Sequence, residues 1–516
     1  MNKKAIVGYS LFAVAVAAVC IYFVSIPKNT VRGKKNSLEL TISQDRTCYI
    51  VTSIGTYENT NVVVPAEYNG LPITEIGNNA FRGCSSITSV EIPDSVTKIG
   101  RNAFQDCSRL TDVAIPASVK EIDESTFSGC LSLKSVTLSD GIETIGSYAF
   151  SRCTSLESVV IPDSVTIIGS SAFNECNALV SAKLSDRLKV IGSNMFLNCS
   201  LLKEVEIPDG VTEIGQGAFS RCGITNIVIP DSVTVIGQEA FSYCEELTNI
   251  QLPKNLEVIN TDTFISCTSL ESVDIPDGVT QIGRHAFYCC YSLSSVTIPD
   301  SVTEICAFAF GACSSLKSVN IPYGIKIIGD DAFNQCMTEE LIIPESVESI
   351  GYEAFMIGTF SSVVIPKNVK EINGSPFTYC RNLTDLQVDE ENEAYYSASN
   401  CIIEKESGTL IAACPASIIP NDGSIKVIGT MSLCGDYEAL TIPDGVKEIQ
   451  DRAAVNCREL KEITLPKSLE AIGVSVFQSE NIERVIYMGS EEEWNKIEKS
   501  NQWIGDSADF ELVFAG

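Results

Sequence analysis

The chain has 516 residues, with 66 acidic side chains against 36 basic ones and a formal net charge of −30 at pH 7. Such a surplus of carboxylates argues against a phosphate-binding surface, which needs clustered Lys and Arg, so no nucleic-acid partner is expected. A single histidine and the absence of any Cys-x-x-Cys spacing leave a zinc site or a Ser-His-Asp triad few ligands, and no cofactor is expected.

Ala5 to Ile26 is a run of 22 residues without a charge, preceded by Lys3 and Lys4. At about 1.5 Å per residue it crosses a hydrocarbon layer of roughly 30 Å as a helix. Residues 1–27 therefore read as an N-terminal transmembrane helix of the signal-anchor type, because a cleaved signal has an apolar core of about 7 to 15 residues. Ala13-Val14-Ala15 and Ala15-Val16-Ala17 resemble cleavage sites, and cleavage would make the protein secreted rather than membrane-anchored. Residues 28–37 read as a polar linker whose Lys28, Arg32, Lys34 and Lys35 remove any clear orientation by positive charge. Residues 38–75 alternate apolar and polar around the turn signal Tyr68-Asn69-Gly70 and predict a β cap.

From Ile76 the chain repeats itself. Ser86 to Cys107, SITSVEIPDSVTKIGRNAFQDC, returns as SLKSVTLSDGIETIGSYAFSRC from Ser132 and as SLESVDIPDGVTQIGRHAFYCC from Ser269. Isoleucines mark the period at steps of 23 residues, shortened three times to 22, from Ile76 to Ile372; after a gap of 56 residues the marks resume at Ile428, Ile449 and Ile472. This makes seventeen rungs, over residues 76–386 and 428–480. Within a rung, Val113 and Ile115 fall on one side of a strand and Asp112 and Ala114 on the other. Pro116 ends the strand, since it has no N–H for a ladder, and Pro-Asp-Ser or Pro-Asp-Gly suits a turn. One parallel strand ladder is thus predicted, with extended or 3₁₀-like backbone on the far side. So small a unit has nothing of its own against which to bury Val, Ile, Phe and Cys, so it must stack on its neighbours as a solenoid. At about 4.8 Å per rung the rod is roughly 80 Å long.

Residues 387–427 interrupt the rhythm. NCIIEKESGTLIAACP places two apolar runs about Ser407-Gly408 and reads as a hairpin inserted between rungs. Cys401 and Cys414 would face each other across a two-residue turn and form the one specific disulfide candidate; a longer turn shifts the register and leaves two free thiols, the reading favoured on geometry. Residues 481–516 form a C-terminal cap, where Ser490 and Glu493 resemble a helix capping box with Trp494 and Ile497 on the apolar face.

The unit SLxSVxIPDSVTxIGxxAFxxC resembles the BspA-type leucine-rich repeats of bacterial and protist surface proteins over about residues 76 to 480, and YNGLPITEIG, NCIIEKESGTLIAACP and YMGSEEEWNKI resemble modules that accompany them. The resemblance implies a β-rich leucine-rich-repeat solenoid, and a role in adhesion to host proteins, other bacteria or extracellular matrix, although many members of the family have no known ligand. No cell-wall sorting motif stands at Phe510 to Gly516, so anchoring falls to the N-terminal segment.

Candidate chemistry is sparse. Fourteen of the 21 cysteines fall eight residues after an isoleucine mark, a regularity that points to a ladder of buried thiols acting as small hydrophobes. His285 occupies a position that varies from rung to rung and reads as surface. Candidate ligand-facing positions on the outward side of the strands are Glu91, Asp112, Glu204, Glu206, Asp274 and Asp385, scattered among serines such as Ser89, Ser135 and Ser158. With no dense acidic cluster backed by aromatics, the leading expectation is a non-enzymatic cell-surface protein that recognises an extracellular protein or glycan. Two alternatives remain open. One is a carbohydrate-active enzyme with paired carboxylates around Glu390 to Glu404, which would need no histidine. The other is a structural spacer.

Overall fold

The computed structural model describes residues 30–31, 37–435, 437–455, 457, 459–504 and 510–516. The anchor expected over 1–27 lies outside the described residues, and among those described no helix is long and apolar enough to cross a membrane. Part of the expected linker is a strand: Thr30–Val31 pairs antiparallel with Glu39–Ile42.

Each rung is built from three sides. On the first, Asp112–Ile115 buries Val113 and Ile115, exposes Asp112 and Ala114, and pairs in parallel with Ser135–Leu138 in strict register, Val113 opposite Val136. Beyond the turn at Pro116 the chain makes a second strand, Glu121–Ile122, paired in parallel with Lys98–Ile99 before it and Thr144–Ile145 after it. The expectation of one ladder is therefore corrected to two. The second strand is only two residues long, and so short an alternation carries no periodic signal in the sequence.

The third side is a stack of turns rather than a 3₁₀ segment. Amides of Ala103, Gln105 and Cys107 bond back to the carbonyls of Gly100, Asn102 and Phe104, while those of Asn102, Phe104 and Asp106 bond to Glu124, Thr126 and Ser128 of the next rung. Every amide from 102 to 107 is paired, one within the rung and the next across it. Two residues per rung, here Asn102 at φ 56° and Asp106 at φ 59°, take the left-handed conformation that a type II turn needs at its third position. The glycine after the isoleucine lets rungs approach: a Cβ on Gly100 would lie 2.4 Å from Asn78 Oδ1 and 2.9 Å from Asn78 N.

The core is a column. Phenylalanine rings run from Phe81 to Phe377, each stacked on the next at 4.9 to 6.0 Å with planes within 16°. Beside them the thiols form their own ladder: Cys107 Sγ donates to the Phe81 carbonyl at 3.1 Å and Cys130 Sγ to that of Phe104 at 3.3 Å, a pattern still present at Cys380. Strands Tyr49–Ser53, Thr409–Ala413 and Glu498–Lys499 also join the isoleucine ladder in parallel, so the solenoid has about 20 turns rather than seventeen.

The interruption is a three-stranded antiparallel sheet, Tyr395–Ala398, Cys401–Glu404 and Thr409–Ala413. Both its faces are buried. Ile402 and Ala412 pack into the core on the N-terminal side, and Cys401, Ile403 and Leu410 into a separate core that continues to the C-terminus. The insertion is a wall between two apolar columns. Cys401 stands opposite Ala413 rather than Cys414, because beside the turn Ile403 already pairs with Leu410 and the one-residue shift between Ile402 and Ile403 makes up only part of the difference, and both Cys401 and Cys414 are free thiols. Asn392, 1% exposed, helps seal the join: its Nδ2 donates to the carbonyls of Pro366 and Val369, and its Oδ1 accepts from the amides of Ala394 and Tyr395.

At the far end Ser490 and Glu493 form the capping box of a short helix, Glu491–Trp494. Trp494 and Ile497 are buried there, and Trp494 and Trp503 pack edge to face with centroids 5.7 Å apart.

Candidate ligand-binding surface

Alternation along the first strand of each rung makes two outward rows, and all six candidate acids lie exposed on them, Asp112, Glu204 and Asp385 on the first and Glu91, Glu206 and Asp274 on the second. They are not brought together. Glu91 and Asp112 are on adjacent strands, Glu204 and Glu206 flank Val205, and Asp274 and Asp385 sit on distant rungs. Their partners are local: Asp112 accepts from Thr111 Oγ1 at 2.8 Å, Asp274 from Thr297 Oγ1 at 2.9 Å and Asp385 from Gln387 Nε2 at 2.9 Å. The second row also carries exposed apolar side chains that were not among the expected ligand-facing residues, notably Val160, Val228, Ile342 and Val364. Their signal was present in the same outward position of the repeat.

The second ladder presents ion pairs between rungs. Glu348 takes Lys326 at 3.2 Å and Lys370 at 2.7 Å, and those two ammonium groups, Lys370 first, hold its carboxyl below the usual range. Exposed pairs of this kind contribute little each. His285 is only partly exposed; its Nδ1 lies 3.1 Å from Asp262 Oδ1, and the residue itself is left-handed at φ 52°.

The acids about the insertion do not converge. Glu391 pairs with Lys367 at 3.0 Å on the rod's flank, and Glu404 accepts from Ser407 within its own turn. Where the isoleucine ladder breaks, a recess of about 420 Å³ forms between Tyr352, Gly374, Ile411 and Thr430. Tyr352 donates to Met431 Sδ at 2.7 Å across this break. Burial, and then the neighbouring Glu353, push its phenol up to about 12, while burial and Asp331 raise the carboxyl of Glu353. This arrangement was not legible in the sequence, since residues 352 and 431 meet only because the wall displaces a rung. Among the described residues no group of three or more His, Cys, Asp or Glu is placed to hold a metal ion.

Two parallel ladders joined by a stack of turns define a leucine-rich-repeat solenoid. The profile described as a BspA type leucine rich repeat region of six copies matches residues 59–180, 167–293, 280–402 and 419–500, most of the rod. The chain belongs to the BspA-type leucine-rich repeat family. Among solved structures it is similar to a leucine-rich repeat protein of Bacteroides ovatus, at 23% identity and a TM-score of 0.50 over 94% of this chain and 100% of that one. It is also similar to a leucine rich cell surface protein of Faecalibacterium prausnitzii, at 24% identity and a TM-score of 0.38 over 91% and 97%. A leucine rich repeat protein of T. pallidum matches at 30% identity and a TM-score of 0.35, over 42% of this chain and 91% of that one. No curated protein matches the chain.

Proposed function

We propose that the chain is a non-enzymatic surface protein that recognises an extracellular protein or glycan through the side of its solenoid, held at the membrane by residues 1–27. The observation that carries this reading is the pair of outward rows. Successive strands present two outward positions in fixed register, as Ser158, Ser181 and Glu204 do in one row and Val160 and Lys183 in the row beside it, so the face offers many equivalent contacts to an extended partner. Weak contacts repeated along a rigid array add through avidity without any deep pocket. The apolar members of the second row supply the desolvated spots that dominate binding energy, and the acids around them set charge preference. Family membership supports a binding scaffold, and the cell-surface description of the Faecalibacterium prausnitzii protein is consistent with display outside the cell.

The test is an array of matrix proteins and glycans probed with the full chain, with product analysis of every glycan bound. The reading expects saturable binding that falls when Val228 and Ile342 are both changed to Asp, and no cleavage. Cleavage of a bound glycan that is lost in Glu404→Gln would replace it with the enzyme reading.

A further inference from the structure

The turn side of the rod carries a step that the repeat does not require. In each of the three shortened rungs the missing residue comes from the corner after the cysteine position: Cys222-Gly223-Ile224, Cys336-Met337-Thr338 and Gly358-Thr359-Phe360. The first stands alone and is closed, since a Cβ on Gly223 would lie 2.4 Å from the Ser200 carbonyl oxygen. The other two are consecutive, so the edge is set back over two rungs. There it forms a groove of about 440 Å³ lined by Met337, Ile357, Gly358, Tyr379, Arg381 and Asn382.

Each part of the groove has a local cause. Gly358 replaces the cysteine of its rung, and a Cβ there would lie 2.2 Å from Phe360 Cε1. The Phe360 ring turns inward and meets Phe377 edge to face at 6.0 Å, which leaves Met337 and Ile357 as an apolar floor outside. Ile357 is left-handed at φ 65°, in a column where other rungs place Asp106, Asn198 or Gln335. A β-branched residue is an outlier in that conformation, and strain of this kind gathers at binding sites. The rim is held in place: Asn382 Nδ2 donates to the Thr359 carbonyl at 3.2 Å, and Thr359 Oγ1 to that of Thr338 at 2.9 Å. Arg381 beside it is exposed and forms no ion pair among the described residues, in a chain of net charge −30.

We infer that this groove binds an apolar carboxylate, with a flat or branched hydrophobic group seated among Met337, Ile357 and Tyr379 and its carboxylate paired to the Arg381 guanidinium. An apolar floor beside one free guanidinium suits this pairing, because Arg presents a planar fork to a carboxylate. A free organic acid and the C-terminal residue of a peptide share the chemistry. The inference goes beyond the surface-recognition reading and does not depend on it.

The experiment follows the methyl resonance of Met337 in the full chain during titration with 3-phenylpropionate, its amide, the tripeptide Gly-Gly-Phe and its C-terminal amide. Met195, which is fully buried, serves as the internal control. The proposal expects saturable shifts of Met337 with both acids, weakened at least about tenfold by amidation or by Arg381→Gln, the loss of one charge-assisted pair. Tighter binding of the tripeptide acid identifies a peptide C-terminus as the source, and equal or tighter binding of phenylpropionate identifies a free acid. Absence of any Met337 shift at millimolar ligand, or shifts unchanged by amidation and by Arg381→Gln, overturns it. Arg381 is exposed, so its substitution leaves the fold intact.

Discussion

The phenol oxygen of Tyr395 accepts the backbone N–H of Ile372 at 2.9 Å. Ile372 ends the unbroken run of the isoleucine ladder, so a side chain of the insertion stands in for the rung that the insertion displaced. Tyr395→Phe leaves that buried amide unpaired and should cost about 1–3 kcal/mol at the join. Hydrogen exchange is the measure: the Ile372 amide should lose protection while amides near Ile168 keep theirs. Unchanged protection at Ile372 would mean that the hydroxyl contributes nothing.

Phe219 is fully buried between Phe196 and Phe241, with ring centroids 5.6 and 5.4 Å away. Phe219→Ala should cost about 3–5 kcal/mol. Stability in a solenoid is carried from neighbour to neighbour, so the loss should split denaturant unfolding into two steps. Phe219→Leu should keep one step at a smaller cost, because Leu433 fills the same place in its own rung and is fully buried.

Most of the cysteines in the described residues are buried, and those of the ladder from Cys107 to Cys380 are free thiols. Burial pushes Cys107 and Cys244 up to about 12. At pH 8 an alkylating reagent should reach Cys48, Cys84 and Cys289 in the native protein, with Cys306 lagging because burial and the Glu304 carboxylate 3.5 Å away hold it near 12. Denaturant should release the rest. The folded pKa values lie above the ordinary 9.0, so the stability these thiols contribute is complete below pH 9 and declines as pH rises toward 12. Few titratable thiols in denaturant would contradict the ladder.

Both tryptophans of the chain, Trp494 and Trp503, lie in the C-terminal cap, so tryptophan fluorescence reports on that cap alone. Backbone N–H of Ser490, then Lys467 and the Ser490 hydroxyl, hold the Glu493 carboxyl down at about 2. A depressed carboxyl stabilises above its unfolded value of 4.5 and loses that contribution as pH falls toward 2. Emission should shift red over that window in the native chain, and at neutral pH in Glu493→Gln should resemble the acid state.

The period, the inward Val and Ile, the buried cysteines and the capping box were all legible in the sequence, because each rests on residue type at a fixed spacing. The second ladder was not, since Glu121–Ile122 gives only two residues of alternation. Nor were the left-handed turns, which Asn79 and Asn102 hint at but Phe308 and Ile357 do not. The insertion read as a hairpin because Ile402 and Ile403 look like one apolar run. Their opposite burial appears only once the two columns on either side are in place. The groove was written in the sequence as two consecutive short steps, but its apolar floor depends on Phe360 turning inward, which follows from packing against Phe377.

The most direct test of surface recognition is a hydrogen-exchange footprint of the full chain with the partner that the array identifies. Recognition by the solenoid side predicts added protection over successive first strands, such as Asn226–Val228, Asn249–Gln251 and Ser272–Asp274, with none at Cys401–Glu404. Protection confined to residues 390–404 would contradict it and place the function at the insertion.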